Sequence, residues 1–291
     1  MFLSSLKILF SHSIFFFFFF TPSVSSNNII LFGDAFLSAS SIILTRENNC
    51  SYQPPLQTIS TVGRAFYVKP VRFLDPSANA TAFSCSFSFT ITKTNSCPFG
   101  DGFAFLVTSN ASSFSHYDGY MGLPPGIQTS SDQDSYFAVE FDTSFDRNLE
   151  DINGNHIGID VNNVKSLASI DVVSKGLDLK NGKEMTAWIE YRDSEKMISV
   201  WVGYSGEVRP LSPVLVSQID LSKQFKEFMH IGFTASNGKG SSVHIVNKWR
   251  FKTVLGLPSS KPQQGDCLMC SPGDSDIDIG SFGYLPSNKG S

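Results

Sequence analysis

The sequence predicts an all-β protein built as an antiparallel β-sandwich of the jelly-roll type. Short runs in which apolar and polar residues alternate recur along the chain, with turn residues between them. Such alternation is typical of half-buried antiparallel strands. Candidate helices are scarce, since only residues 221–228 suggest a short one. Phe occurs 27 times in 291 residues and charged residues make up only 16%, a balance that suits a sheet-rich protein with a broad core.

Ten runs are assigned to strands. Two of them flank the polar stretch RDSEK and predict a hairpin, residues 185–191 with 197–204. A chain with many strands and almost no helix indicates a sandwich or jelly roll. The remaining runs are 27–33, 63–73, 81–91, 102–108, 136–142, 156–161, 228–235 and 243–251.

The chain is predicted to contain three segments. Residues 1–25 hold an apolar run, 8–20, followed by small polar residues, which is the pattern of a secretory signal peptide. A membrane anchor is the alternative, although the run is short for a span. Residues 26–257 are expected to form one domain. Residues 258–291 are rich in Pro, Gly, Ser and Asp and are expected to be a disordered tail.

The bulk charge argues against nucleic acid as a partner. The formal net charge is -4 and the pI is about 5.7, and Lys and Arg form no cluster. No second apolar run of spanning length follows residue 20. The mature chain is therefore expected to lie outside the cytosol without spanning a membrane.

Two further features fit an extracellular protein. Acceptor sequons for N-glycosylation occur at Asn49, Asn79 and Asn110. Cys85 and Cys97 flank a strand and a polar loop, which predicts a local disulfide in an oxidising compartment. The other three cysteines are interpreted as a tail disulfide and one cysteine without an obvious partner, namely Cys267 with Cys270, and Cys50.

The acidic stretch at residues 138–161 is the main candidate for a site. Glu140 and Asp142 share one face of a predicted strand, roughly 7 Å apart by strand geometry. His156 opens the next strand and can meet both carboxylates if the two strands pair. So many carboxylates need a counter-charge. Oxygen ligands suit calcium, and carboxylates with one imidazole suit manganese, so we predict a metal site. A solvated acidic loop with a surface histidine is the alternative.

The same stretch carries a family resemblance. AVEFDT and NHIGIDVNNVKS resemble the signature of legume-type lectins, and NNIILFGDAFLS, GRAFYVKPVRF, GDGFAFLV and HIGFTASNG appear in the family's order. The spacing from Glu140 to His156 resembles the lectin domains of plant lectin receptor kinases, and the chain is expected to be a free-standing relative of them. The resemblance implies a concanavalin-like sandwich with no enzymatic activity that binds glycans or glycoproteins in the apoplast or cell wall. It also allows a homodimer, and by family alone a role in plant defence.

The resemblance further implies which residues bind. The ligands of a transition-metal ion, usually Mn²⁺, are Glu140, Asp142, Asp151 and His156. The ligands of Ca²⁺ are Asp142, Asp146, Asp151 and the backbone carbonyl of Ser144, while Ser166 holds a metal-bound water. The glycan contacts are Asp101, the backbone N–H of Gly119, Asp146, and the loop that includes Lys239 and Gly240.

Two departures from the family pattern fall in the glycan site. Asp146 replaces an asparagine, and an ionised aspartate keeps an oxygen for calcium but cannot donate a hydrogen bond to a sugar hydroxyl. Ser144 replaces the large side chain on which a sugar ring packs. Each change weakens binding by about 1–3 kcal/mol. Millimolar affinity for a monosaccharide amounts to only about 4 kcal/mol, so the two changes together are large enough to abolish ordinary monosaccharide binding.

Two other functions remain open from the residues alone. One is an interaction module that keeps the fold and has lost glycan binding. The other is a jelly-roll glycosidase, whose strand carries a second glutamate two or three residues beyond the aspartate of Glu-x-Asp. Here Ser144 and Phe145 stand at those positions, which argues against an enzyme.

Overall fold

The computed structural model describes residues 28–48, 61–74, 81–126, 134–255 and 275–278. Within these ranges the regular structure is almost entirely β-strand. The strands are β1 Ile29–Gly33, β2 Phe36–Ser38, β3 Ser41–Ile43, β4 Val62–Tyr67, β5 Val71–Arg72, β6 Thr81–Thr92, β7 Gly102–Thr108, β8 Tyr136–Asp142, β9 His156–Val161, β10 Ala168–Asp171, β11 Met185–Arg192, β12 Met197–Tyr204, β13 Leu215–Gln218, β14 Phe228–Ser236, β15 Val243–Leu255 and β16 Ser275–Asp278. Short 3-10 helices occupy Arg147–Leu149 and Val172–Lys175.

The strands form two antiparallel sheets. The front sheet has the order β1-β4-β14-β7-β8-β9-β10, with β5 paired to β14. The back sheet has the order β13-β12-β11-β6-β15-β3-β2, with β16 paired to β15. The prediction of an all-β antiparallel sandwich is confirmed. The predicted hairpin is also confirmed, because β11 pairs with β12 in register around a tight turn.

Aromatic side chains fill the space between the sheets. Phe87 of β6 in the back sheet is fully buried and packs edge-on against Phe233 of β14 in the front sheet, with ring centroids 4.8 Å apart. Phe89 meets Phe141 at 4.9 Å, and Phe141 stacks on Phe103 at 4.7 Å. The alternation seen in the sequence places these rings on one face of each strand, so the abundance of Phe is accounted for by one core.

A loop at residues 109–126 covers the other face of the front sheet. A second buried cluster lies beneath it, formed by Phe66, Ala104, Leu106, Leu123, Tyr136, Ala138 and Val164. Arg64 is 1% exposed and its Nη1 donates a hydrogen bond of 2.7 Å to the carbonyl of Ala111 in the loop. Burial lowers the pKa of Arg64 to about 10. The loop is thus fixed to the sheet by apolar packing and by this buried contact.

The expected disulfide between Cys85 and Cys97 is wrong. Cys85 is a free thiol, 2% exposed, on the face of β6 that points into the core. Period-two alternation places it with the core residues Phe83 and Phe87, and Cys97 is bonded to a different cysteine. Desolvation raises the pKa of Cys85 well above its usual range, so this thiol is a structural residue and not a reactive one.

The helix suggested at 221–228 forms only a turn, in which Phe225 N–H donates to the carbonyl of Leu221. The tail expectation needs one exception, since residues 275–278 form β16 opposite Arg250–Thr253. The predicted signal peptide, the sequons at Asn49 and Asn79 and the cysteines Cys50, Cys267 and Cys270 lie outside the described residues. Among the described residues, no helix has the length and apolar character needed to cross a membrane.

The third sequon lies in a loop of the front sheet. Asn110 is half-buried, and its Nδ2 donates a hydrogen bond of 3.1 Å to Asp134 Oδ2. Its Oδ1 accepts from the N–H of Ser112. Attachment of a glycan replaces one of the two hydrogens on Nδ2, so an occupied sequon would keep this contact only if the remaining N–H points toward Asp134.

Candidate functional site

Pairing of β8 with β9 assembles the acidic site. Asp142 lies directly opposite His156, and Glu140 lies opposite Gly158. A Cβ atom on Gly158 would stand 1.9 Å from Ser166 Oγ and 2.2 Å from Glu140 Oε1. Only glycine leaves room there for the carboxylate. The sequence prediction that His156 meets both carboxylates across paired strands is confirmed as geometry.

The potential ligand atoms converge. Asp142, Asp151 and His156 each offer a ligand atom, and these atoms all lie within 4.8 Å of one another. His156 Nε2 is 3.3 Å from Glu140 Oε1. Asp151 comes from the loop after the first 3-10 helix, where its Oδ2 accepts a 2.6 Å hydrogen bond from the N–H of Asp146. The four residues predicted to bind a transition metal therefore share one small volume.

The charges of this cluster are not balanced by protein groups. Asp142 is 3% exposed, and its pKa is raised well above the usual range by burial and by the negative charges of Glu140 and Asp151. The pKa of Asp151 is raised to about 6, chiefly by burial. Burial opposes protonation of His156, yet its contact with Glu140 raises its pKa overall. A cation bound among these groups would remove the repulsion.

The orientation of His156 fits a metal ligand. Its Nδ1 lies 2.7 Å from the carbonyl of Asn153 and so carries the proton of the neutral ring. Nε2 then presents its lone pair toward Glu140. Donation from one ring nitrogen to a carbonyl is usual for metal-binding histidines, in which the other nitrogen, here 3.3 Å from Glu140 Oε1, binds the metal. The donor set of carboxylates and one imidazole fits Mn²⁺.

The residues assigned to calcium lie beside this cluster. The N–H of Ser144 donates a 2.9 Å hydrogen bond to Asp142 Oδ1, which folds residues 142–144 into a turn. Asp146 Oδ1 caps the 3-10 helix by accepting from the N–H of Asn148 at 2.8 Å. Carboxylate and carbonyl oxygens from one loop suit Ca²⁺. Asp142, Asp146, Asp151 and the carbonyl of Ser144 would hold this ion.

Two further residues border the cluster. Ser166 Oγ lies 2.5 Å from Glu140 Oε1 and 2.9 Å from Asp160 Oδ1, which is consistent with the predicted contact to a metal-bound water. Asp160 is fully buried, and burial together with Glu140 raises its pKa well above the usual range. The sequence does not single out Asp160, because alternation along β9 alone does not show that β8 places Glu140 beside it.

The residues predicted to contact a glycan meet at the end of the front sheet. Asp101 is 4% exposed, its Oδ2 accepts a 2.5 Å hydrogen bond from Ser236 Oγ, and its side chain also accepts from the N–H of Gly119. A Cβ atom on Gly119 would lie 3.5 Å from Asp146 Oδ2. Three separate loops thus bring Asp101, Gly119 and Asp146 together, as the resemblance implied.

Burial raises the pKa of Asp101 to about 6, although its hydrogen bonds from Ser236 and Gly119 lower it, and the charges of Asp118 and Asp146 raise it further. Asp101 therefore lies within electrostatic reach of two other carboxylates. Asp118 carries no assignment from the sequence. The signal that could have found it is its position next to Gly119 in the loop that covers the front sheet.

The fourth loop closes the site from β14. Gly238 has a φ of +49° and a Cβ there would stand 2.2 Å from Asp101 Oδ1, so glycine is required by both backbone and space. A Cβ on Gly240 would stand 1.9 Å from the carbonyl of Phe99. Lys239 between them is 87% exposed and its Nζ lies 3.7 Å from Asp118 Oδ2. Of the two residues expected from this loop, Lys239 lies at the rim, whereas Gly240 is buried against the backbone of Phe99 and Gly100.

The position at which the family has a large side chain for packing against a sugar ring is open to solvent. Ser144 is only half-buried, and Phe145 beside it is 56% exposed. The structure thus has a small polar side chain, that of Ser144, at this edge of the predicted glycan site.

Comparison of the sequence with known protein families agrees with the resemblance to legume-type lectins. The sequence profile described as Legume lectin domain covers residues 10–266.

The chain belongs to the legume lectin family.

Two curated relatives and one solved structure illustrate the relationship. The L-type lectin-domain containing receptor kinase S.6 of Arabidopsis thaliana is 52% identical over 255 residues, covering 84% of this chain and 36% of the kinase. The lectin-like protein At1g53070 of the same plant is 34% identical over 201 residues, covering 65% of this chain and 74% of that protein. The lectin from Bauhinia forficata in complex with GalNAc superimposes with a TM-score of 0.64 at 26% identity, covering 79% of this chain and 94% of the lectin.

These matches support a role for the matched domain, which is only part of the receptor kinases. The chain spans about a third of the length of the receptor kinases that it resembles. Legume lectins are carbohydrate-binding proteins without enzymatic activity, which supports a carbohydrate-binding, lectin-like role and confirms the prediction of no enzyme. Legume lectins also generally bind Ca²⁺ and Mn²⁺, and this chain has a group of acidic residues and a histidine able to do so.

Proposed function

We propose that this chain is a secreted lectin whose glycan site is supported by calcium and a transition-metal ion. The observation that carries the proposal is the meeting of Asp101, Gly119 and Asp146 from three loops directly beside the cluster of Asp142, Asp151 and His156. Asp101 offers carboxylate oxygens to sugar hydroxyls. The position of Asp101 depends on Ser236 and Gly119, which donate hydrogen bonds to it.

The bound ions would supply charge neutralisation and would hold the loop that carries Asp146. The protein's own residues then perform the recognition. The N–H of Asp146 is already engaged by Asp151, so the orientation of Asp146 depends on the metal-binding loop. Asp101 accepts hydrogen bonds from the ligand.

Secretion is supported by the apolar run near the N-terminus and by the sequons. An apoplastic or cell-wall location, a disulfide formed in the oxidising compartment, and a role in defence belong to the same proposal. Expression with a C-terminal tag in plant cells should place the protein in the apoplastic fluid, with residues 1–25 removed. Retention of the unprocessed chain inside the cell would contradict it.

Glycan binding is tested on the full mature protein with Ca²⁺ and Mn²⁺ present. Wild type is expected to bind at least one class on a glycan array, and Asp101→Ala is expected to lose that signal while keeping its metal content. Asp171→Ala is the matched control, because Asp171 caps the second 3-10 helix and is not among the predicted glycan contacts. Absence of any signal from a folded, metal-loaded wild type would favour the interaction module without glycan binding.

Restoring the missing donor is expected to strengthen recognition of neutral sugars. Asp146→Asn supplies an N–H₂ group while keeping an oxygen for calcium. We expect affinity for galactose or glucose derivatives to rise by about ten-fold, since one hydrogen bond is worth about 1.4 kcal/mol in such a site. Isothermal titration of both proteins at equal metal occupancy checks this. An unchanged or weaker affinity in the variant would mean that Asp146 does not face the sugar.

A further inference from the structure

A cleft with aromatic walls adjoins the glycan site. Its volume is about 460 Å³, and the side chains that line it are Tyr117, Asp118, Tyr120, Asp146, Asn148, Leu149, Asn163, Val164 and Lys165. The rings of Tyr117 and Tyr120 have centroids 5.5 Å apart and are inclined by 60°. Tyr117 is 69% exposed, so its ring is available to a ligand that enters the cleft.

The charge around the cleft is negative on the side that faces Asp101. Asp118 and Asp146 both line the cleft. The cation at the far wall, Lys165, is already paired with Glu150, with Nζ 2.5 Å from Oε1. Lys239 lies 3.7 Å from Asp118 from the opposite side but is 87% exposed, so it leaves this carboxylate open to competition.

The carboxylates and tyrosine rings of the cleft favour ligands that donate hydrogen bonds and carry positive charge. Ionised carboxylates accept hydrogen bonds and cannot donate them, whereas an ammonium group offers three donors and no acceptor. Tyrosine rings attract cations over their faces. A sugar ring that carries a protonated amine suits both kinds of group, because the ring packs on tyrosine while the ammonium group contacts Asp118. A neutral sugar can pack on tyrosine but has no ammonium group for Asp118.

We propose that the cleft beside Tyr117 and Asp118 is a subsite for glycans that carry free, protonated amino groups on the sugar ring. This inference rests on the proposed glycan-binding function and names the class of ligand. Within it, the exposed ammonium of Lys239 occupies Asp118 when no ligand is bound. A ligand amine displaces Lys239. Asp146 lacks the donor that a neutral sugar would need, and here it adds a second acceptor for the amine.

The test compares a fully deacetylated glucosamine tetramer with the same tetramer carrying N-acetyl groups. The two probes differ only in charge and in the acetyl groups. Isothermal titration of the metal-loaded mature chain is expected to show affinity for the amine form at least about ten-fold higher, since one charge-assisted contact is worth about that factor. Equal affinity for both tetramers would overturn the proposal.

Variants identify the residues responsible. Asp118→Asn and Tyr117→Ala are each expected to reduce affinity for the amine tetramer by about five-fold or more. Lys239→Met removes the competing cation and is expected to raise that affinity, which a structural role of the loop would not explain. Glu207→Gln makes the same charge change as Asp118→Asn in an exposed turn of the back sheet and is expected to leave affinity unchanged. Amine binding that persists in Asp118→Asn would refute the assignment.

The failure of this inference differs from failure of the proposed function. If the N-acetylated tetramer or a neutral glycan binds, and Asp101→Ala abolishes that binding, the chain is a lectin and only the amine preference is wrong. If neither tetramer nor any glycan on the array binds the folded, metal-loaded chain, the proposed function fails and the subsite fails with it.

Discussion

Replacing Asp142 by Asn is expected to remove both metals and to lower the melting temperature of the metal-loaded protein by about 5–10 °C. Asp142 belongs to both predicted ligand sets, and its Oδ1 also accepts the hydrogen bond of Ser144, which Asn can still accept. A ligand present at 100 times its dissociation constant stabilises a protein by about 2.7 kcal/mol, and 1 kcal/mol moves the melting temperature of a domain this size by about 2–4 °C. Elemental analysis and calorimetry measure the two effects.

The order of stability should reverse in chelator. Without metals, Asp142 is a buried carboxylate whose pKa is raised by burial and by the charges of Glu140, Asp151 and Asp101, so its neutral replacement relieves repulsion. Asp142→Asn is therefore expected to melt at or above the temperature of wild type in EDTA. Glu150→Gln is the control in the same loop, since its side chain is 72% exposed and outside the ligand set. Wild-type protein that contains no metal and melts at one temperature with or without EDTA would refute the metal site.

Replacing Phe87 by Ala is expected to destabilise the fold by about 3–5 kcal/mol, which corresponds to a loss of roughly 6–20 °C in melting temperature. Phe87 is fully buried and its ring contacts those of five other phenylalanines, namely Phe89, Phe103, Phe105, Phe141 and Phe233. These rings come from both sheets, so the cavity would open at the centre of the sandwich. Thermal unfolding followed by near-ultraviolet circular dichroism measures the change.

Phe145→Ala is the matched control for that core variant. The side chain removed is the same, but Phe145 is 56% exposed in the loop between β8 and β9. Its replacement is expected to change the free energy of unfolding by about 0.5 kcal/mol or less. A loss comparable to that of Phe87→Ala would show that Phe145 packs against the protein and does not lie free at the rim.

The strands and the pairing at the site could be predicted because one face of each strand is apolar. Phe137, Val139 and Phe141 had to face the core, which left Glu140 and Asp142 together on the other face. Cross-strand contact with His156 followed once β8 and β9 were paired. Local alternation therefore carries enough information to bring Glu140, Asp142 and His156 together, whereas Asp151 comes from a loop that alternation does not place.

Features that depend on long-range packing could not be predicted. The pairing of Cys85 was wrong because the number of residues between two cysteines says nothing about which face of the strand each occupies, and Cys85 faces the core. The aromatic cleft was missed because Tyr117 and Tyr120 meet Asn163 and Lys165 only after the loop at 109–126 folds over the front sheet. Burial of Asp160 was missed for the same reason, since the face it lies on carries polar residues and looks solvated in the sequence.

The anchoring of the loop at 109–126 has a consequence for binding thermodynamics. Its attachment through Arg64 and the apolar cluster beneath it fixes the Gly119 N–H before any ligand arrives. A ligand therefore does not have to order this loop, and the conformational entropy that a mobile loop would lose on binding is already lost on folding. A binding site formed with this loop would therefore leave only the ligand to lose conformational freedom, so a small interface would suffice for a flexible ligand.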